Sequence, residues 1–245
     1  MQRLRPGNGI ANSNRRRERF RLFHRLERAA IRDEIVKRIK QIAVVPIVRT
    51  TNKETAIAAV EAVREGGIDC VEITMTVANA IEAIEAVADR YGDGILLGAG
   101  TVLDSETARA CMLAGAQFFV TPSLNVKTIE LARRYSKPIF PGGLTPTEVL
   151  TAWEAGADGV KVFPCNALGG AKYIKSLKAP FPQIELVPTG GVNLETIADF
   201  LAAGSAAVGV GSELIDAKSI AEGNYQFIAE KARKFREAAR PPVLV

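Results

Sequence analysis

Three charged side chains stand where an apolar residue would pack better. Lys161 lies in Val160-Lys161-Val162-Phe163-Pro164, Glu72 in Val71-Glu72-Ile73-Thr74, and Arg49 closes Val45-Pro46-Ile47-Val48-Arg49. Each run is short and β-branched, so its side chains alternate between two faces of a sheet. Val160 and Val162 share one face, Lys161 and Phe163 the other. A lysine facing an apolar interior loses hydration of its ammonium, which favours the neutral, nucleophilic amine. The alternative is an ion pair with a buried carboxylate. Glu72 and Thr74 alternate in the same way with Val71 and Ile73. That carboxyl is a proton shuttle beside the lysine, or its neutralising partner, or both. The Arg49 guanidinium, at a strand end, either binds a carboxylate bidentately or stands solvated. Thr101 follows Gly98-Ala99-Gly100 and offers a hydroxyl to the same cavity, with the glycines relieving crowding at its rim.

Two glycine-rich turns suggest anion binding. Pro188-Thr189-Gly190-Gly191-Val192-Asn193 and Gly209-Val210-Gly211-Ser212 each follow a strand-like run. In α/β barrels the loops after strands seven and eight frequently bind phosphate through bare backbone N–H groups.

The rest of the inventory narrows the chemistry. The single histidine, His24, lies near the N-terminus. A His-based metal site, a Ser-His-Asp triad and a histidine general base are therefore excluded from the main body, and no metal is expected. Cys70, Cys111 and Cys165 are isolated and odd in number, without disulfide or metal-knuckle spacing, which suits a reducing cytoplasm. No stretch of about 18 apolar residues occurs, so no membrane span is expected. Residues 1–40 hold 13 Lys and Arg against 4 Asp and Glu, while the remainder is mildly acidic. The net charge of +5 therefore belongs to the N-terminal extension and does not mark a nucleic-acid-binding body.

These residues need a scaffold, and the chain repeats one unit from residue 41 onward. Strand-like runs at Ile42–Arg49, Cys70–Thr74, Ile95–Ala99, Phe118–Pro122, Pro138–Pro141, Gly159–Phe163, Glu185–Pro188 and Ala206–Gly209 alternate with Ala/Leu/Glu-rich helical runs. The helical runs include Lys53–Glu65, Ala78–Arg90, Ser105–Ala114, Val126–Tyr135, Pro146–Glu154 and Leu194–Ala203. Eight such units predict an α/β protein folded as a (β/α)8 TIM barrel over residues 41–245, with a doubly wound open sheet as runner-up. In such a barrel the reactive groups lie at the C-terminal strand ends. Residues 1–14 read as a disordered basic tail. Residues 15–40 read as an extra N-terminal amphipathic helix whose second half caps the barrel.

The motifs taken together resemble the KDPG/KHG aldolase family. Val45–Arg49, Val71–Thr74, Gly98–Val102, Val120–Pro122, Pro141-Gly142, Lys161–Pro164, Pro188–Val192 and Gly209–Ser212 occur in family order, over about residues 35–220. The resemblance implies a class I aldolase with no cofactor beyond a covalent Schiff base on Lys161. It implies Glu72 as general acid/base and Arg49 and Thr101 as ligands of the pyruvyl end. Phe163 corresponds to a ring beside the lysine, and Gly190, Gly191 and Ser212 to a distal phosphate site. The expected reaction is reversible cleavage of 2-dehydro-3-deoxy-6-phosphogluconate to pyruvate and glyceraldehyde 3-phosphate. Cleavage of 4-hydroxy-2-oxoglutarate to pyruvate and glyoxylate is implied as a second activity, and the 6-phosphogalactonate-derived substrate is the alternative. The family's usual assembly is a homotrimer. One departure matters: many members carry an arginine where this chain has Thr76, which shifts carboxylate binding onto Arg49.

Competing readings are a phosphosugar epimerase or a thiamin-phosphate synthase, which share the glycine-rich loops but do not need Lys161. A non-catalytic oligomeric scaffold would not need Lys161, Glu72 and Arg49 together. The basic extension reads as a non-functional tail, an organelle-targeting peptide, a nucleic-acid- or membrane-surface arm, or the product of an upstream start codon.

Overall fold

The computed structural model describes residues 27–240. The expected tail over residues 1–14, and the expected helix as far as residue 26, lie outside them. Residues 27–42 form helix α1. The element order is then β1 (Val44–Val48), α2 (Lys53–Glu65), β2 (Cys70–Thr74), α3 (Ala80–Tyr91), β3 (Leu96–Gly100), α4 (Ser105–Leu113), β4 (Phe118–Val120) and α5 (Val126–Arg134). It continues with β5 (Ile139–Phe140), α6 (Pro146–Glu154), β6 (Val160–Val162), α7 (Ala171–Lys178), β7 (Leu186–Pro188), α8 (Ile197–Ala202), β8 (Val208–Val210), α9 (Ala217–Ala221) and α10 (Tyr225–Ala238).

All the strand pairs are parallel. One sheet has the order β5-β4-β3-β2-β1-β8, and β6 pairs with β7 in a second. Single bridges, Gly142 to Lys161 and Thr189 to Gly209, link the two sheets. The strands thus curl round a common interior, consistent with a TIM-like barrel, and the helices lie outside.

Alternation along each strand builds two apolar layers. Val44, Val48, Val71, Ile73, Val160 and Val162 face the helices. Val45, Cys70, Leu96, Phe118, Val120, Phe140 and Val187 face inward and pack together. Gly98 admits Phe118 to this interior, since a Cβ there would come within 2.3 Å of the ring. The Phe118 and Phe140 rings meet edge to face at 6.3 Å. Ile35 and Ile39 of α1 close the interior from below. Two ion pairs pin α1 at the N-terminal strand ends: Lys40 with Glu185, and Arg32 Nε with the nearly buried Asp158 carboxylate at 3.3 Å. Asp158 also accepts from the Ile139 N–H at 3.0 Å. Burial pushes the Asp158 carboxyl upward, against the pull of Ile139 N–H and Arg32.

Helix boundaries follow the local caps. Asn52, Asp104 and Asn125 accept from the first-turn amides of α2, α4 and α5, and Thr145 with Glu148 forms a capping box on α6. Each sits one residue before the helix that it starts.

Ile39 is 2% exposed and lines the interior void of about 10 Å³ that lies beneath Glu72. Ile39→Ala should therefore lower stability by about 2–5 kcal/mol in urea unfolding. A loss below about 0.5 kcal/mol would mean that α1 does not seal the interior.

Candidate active site

The inward face changes character toward the C-terminal strand ends. On β2, Cys70, Glu72 and Thr74 point inward; on β6, Lys161 does. These two strands lie on opposite walls, and their polar side chains meet across the interior. Lys161 Nζ lies 3.7 Å from Glu72 Oε1, with the side chains 6% and 2% exposed. Glu72 Oε1 has no hydrogen-bond partner among the described residues. Burial pushes the Glu72 carboxyl above the ordinary carboxylate range, and the charges of Lys161 and Arg49 only partly counter it.

Gly100 is the reason that this carboxyl fits. It pairs with Thr74 in the β2–β3 ladder, and a Cβ on it would stand 2.7 Å from Glu72 Oε1 and 2.8 Å from its carboxyl carbon. The sequence expectation of relief at the rim is thus sharpened. Gly98 makes room for an aromatic ring and Gly100 for the acid.

The lysine is fixed through its backbone. Lys161 N–H donates to Pro141 O, and Gly143 N–H donates to Lys161 O, each at 2.9 Å. Thr121, 1% exposed, ties the preceding strand to this junction. Its Oγ1 accepts from Gly142 N–H at 3.2 Å and donates to Ser123 O at 2.5 Å. Thr121 was legible only as part of the motif Val120–Pro122, with no role of its own. Its signal was a lone hydroxyl at the end of the apolar run Phe118–Pro122. The Phe163 ring lies just past β6, 40% exposed, with its centroid 5.4 Å from Lys161 Nζ.

Arg49 follows β1, where Val45 and Ile47 already set the inward register. Its guanidinium is exposed and makes a long 3.5 Å contact to Thr101 Oγ1. Thr101 sits at φ +56°, a left-handed conformation that a β-branched residue adopts only under strain. Thr76 is committed elsewhere: its hydroxyl shares a 2.7 Å hydrogen bond with that of Thr74, which in turn donates to Val48 O.

The two glycine-rich turns lie at the same end. Gly190 and Gly191 have φ of +96° and +79°. Thr189 N–H donates to Val162 O, which holds the turn beside β6. The amides of Gly191, Val192, Gly211 and Ser212 donate to no protein acceptor among the described residues. The contacts therefore join Lys161 with Glu72 and Phe163, and Arg49 with Thr101, at the C-terminal strand ends, with Gly190, Gly191 and Ser212 in the loops after β7 and β8. No group of three His, Cys, Asp or Glu side chains suited to a metal occurs among the described residues. The charged groups of the centre are one amine, one carboxyl and one guanidinium.

Comparison with known proteins points the same way as this geometry. The 2-dehydro-3-deoxy-6-phosphogalactonate aldolase of Escherichia coli K12 is 39% identical over 201 residues, 82% of this chain and 98% of its own length. The 2-dehydro-3-deoxy-phosphogluconate aldolase of Treponema pallidum is 37% identical, over 78% of this chain and 90% of its own. A crystal structure of the KDPG aldolase of Legionella pneumophila, with pyruvate captured as a covalent carbinolamine, superposes with a TM-score of 0.73 at 30% identity. That match covers 78% of this chain and 92% of the other. A family model described as KDPG and KHG aldolase matches residues 35–231, and the chain belongs to that family.

Proposed function

We propose that this aldolase cleaves 2-dehydro-3-deoxy-6-phosphogluconate reversibly to pyruvate and glyceraldehyde 3-phosphate, through a Schiff base on Lys161. The observation that carries this reading is an amine and a carboxyl buried 3.7 Å apart at the C-terminal strand ends. Cleavage of 4-hydroxy-2-oxoglutarate to pyruvate and glyoxylate fits the same centre, since it breaks the equivalent bond. The reading takes the two linked sheets as one closed (β/α)8 barrel and the protein as a cytoplasmic enzyme. It further takes the assembly to be a homotrimer, for which exposed Leu103, Leu113 and Val126 offer apolar surface.

Lys161 reacts through the lone pair of its amine, its proton having passed to the Glu72 carboxylate beside it. The free amine of Lys161 adds to the C2 ketone. Glu72 gives its proton to the departing oxygen, so that water leaves and a protonated imine remains. The Glu72 carboxylate then takes the proton of the C4 hydroxyl as the C3–C4 bond breaks. Its electron pair goes into the imine, and the products are the free aldehyde and an enamine of pyruvate. The same acid returns its proton to C3; water then adds to the imine carbon, Glu72 takes up the proton that hydrolysis releases, and pyruvate leaves the free amine. Arg49, with Thr101 beside it, holds the pyruvyl carboxylate; Thr76, tied to Thr74, leaves that task to the strand-one guanidinium. The Phe163 ring covers one side of the imine. The free amides near Gly190, Gly191 and Ser212 receive the distal phosphate.

Borohydride added with pyruvate should fix a covalent adduct on Lys161, located by peptide mass spectrometry. Adduct on another lysine, or none, would overturn the assignment. A cleavage assay across the phosphogluconate-derived, phosphogalactonate-derived and hydroxyoxoglutarate substrates should rank the first highest; preference for the second would move the substrate to its epimer.

Glu72→Gln should keep the fold and lose at least about 100-fold in kcat. The sign of the Glu72 shift fixes the acid limb. Because burial raises the carboxyl above 4.5, the Glu72 carboxylate that serves as base is lost, and activity with it, while pH is still above that value. A kcat/KM profile with its acid midpoint at or below 4.5 would contradict the desolvated carboxyl.

A further inference from the structure

The proposed phosphate loops consist of backbone amides and one hydroxyl. The side chain that leans on them comes from a different strand-end turn. Asn166 belongs to a single 3-10 turn, Cys165–Leu168, directly after β6. Cys165 N–H donates to Thr189 O at 2.9 Å, so this turn is clamped to the end of β7 one residue before the glycine pair.

The clamp presses Asn166 onto those glycines. A Cβ built on Gly190 would stand 2.8 Å from Asn166 Oδ1, and one on Gly191 would stand 2.8 Å from Asn166 Cβ. The contact at Gly191 is to Cβ and cannot be relieved by a rotation, whereas at Gly190 the amide tip would have to turn aside. In this conformation the asparagine lies in the space that glycine leaves open at both positions. Two consecutive residues with positive φ already favour glycine there; the asparagine adds a steric reason. The amide itself is exposed and makes no hydrogen bond to protein among the described residues. It therefore carries free donors against a turn whose own amides are free. A half-turn about χ2 exchanges its oxygen and nitrogen, placing Nδ2 over the turn.

We propose that Asn166 is a specificity-determining ligand of the substrate's distal phosphate, with Nδ2 donating to a phosphate oxygen. The proposal rests on the phosphate reading of the loops after β7 and β8. It adds a side chain, reached from β6, that couples phosphate binding to the strand carrying Lys161.

The test compares the phosphorylated and unphosphorylated forms of one 2-keto-3-deoxy acid on three proteins: wild type, Asn166→Ala and Asn166→Asp. Aspartate keeps the shape of asparagine but brings a negative charge to the anion. Alanine should raise KM for the phosphorylated form about 10-fold, with kcat retained, as expected for one hydrogen bond to a charged group. Aspartate should be worse again by about 10-fold, through like-charge repulsion. Neither change should alter kcat/KM for the unphosphorylated form. A residue that merely packs against the glycines gives the opposite order, with aspartate near wild type, alanine worst and both substrates affected alike. That order, or two variants indistinguishable from wild type, would overturn the proposal. Wild-type enzyme that does not discriminate between the two forms would instead overturn the phosphate reading itself, and Asn166 with it. Asn166→Ser, smaller but still polar, should recover part of the alanine loss; no recovery alongside a lowered melting temperature would assign the loss to packing.

Discussion

An amine and a carboxyl held 3.7 Å apart, both buried, set the constraint that the surrounding interior must satisfy. Withdrawing two such groups from water costs several kcal/mol each, and their attraction returns that only when the geometry is good. The fold supplies the geometry from opposite walls. β2 brings Glu72 inward by strand alternation, and Gly100 on the neighbouring strand leaves the carboxyl its volume. β6 brings Lys161 inward, and the junction of Thr121, Pro141, Gly142 and Gly143 fixes its backbone through hydrogen bonds. Below the pair, Phe118, Phe140, Val187 and Ile39 exclude water, which keeps the carboxyl raised. Removing either partner would strand the other as an unpaired buried group, and keeping both buried comes at some expense in stability.

Above the pair the opening is asymmetric. The side formed by β1, β2 and β3 presents Arg49 and Thr101, with Thr74 and Thr76 bonded beneath. The side formed by β7 and β8 presents free backbone amides, and Asn166 leans over it from β6. One side thus suits a planar carboxylate and the other a compact oxyanion. A chain bound at both ends would cross the amine and carboxyl between them. The strained left-handed backbone of Thr101 belongs to this arrangement, since it sets the residue that Arg49 touches.

Much of this was legible in the residues. α2, α6 and β2 span the expected residues because their caps and β-branched runs are local signals. Lys161 and Glu72 stood out because a charge within an apolar run has few structural explanations. Other features were not legible because they depend on register between distant segments. α8 starts at Ile197 rather than Leu194: Asn193 Oδ1 accepts from Glu195 and Thr196 N–H while Thr196 Oγ1 donates to Gly191 O, so those residues form a capping turn. α3 likewise starts at Ala80 because Asn79 adopts φ +58°. The purpose of Gly100 depends on which β2 residue it faces, and that of Thr121 on its distance from Gly142. What Asn166 touches depends on β6 and β7 lying side by side, which brings it against Gly190 and Gly191.

The chemistry of the pair depends on whether the interior holds Glu72 as a desolvated acid. Carbon-13 NMR titration of selectively labelled glutamate carboxyls, with Glu72→Gln to assign the resonance, reads this in the resting enzyme without turnover. The predicted result is a Glu72 midpoint clearly above 4.5, coming down when the interior beneath it is opened to water by Ile39→Ala. A Glu72 midpoint at or below 4.5 would show a solvated or simply ion-paired carboxylate, and would contradict the account.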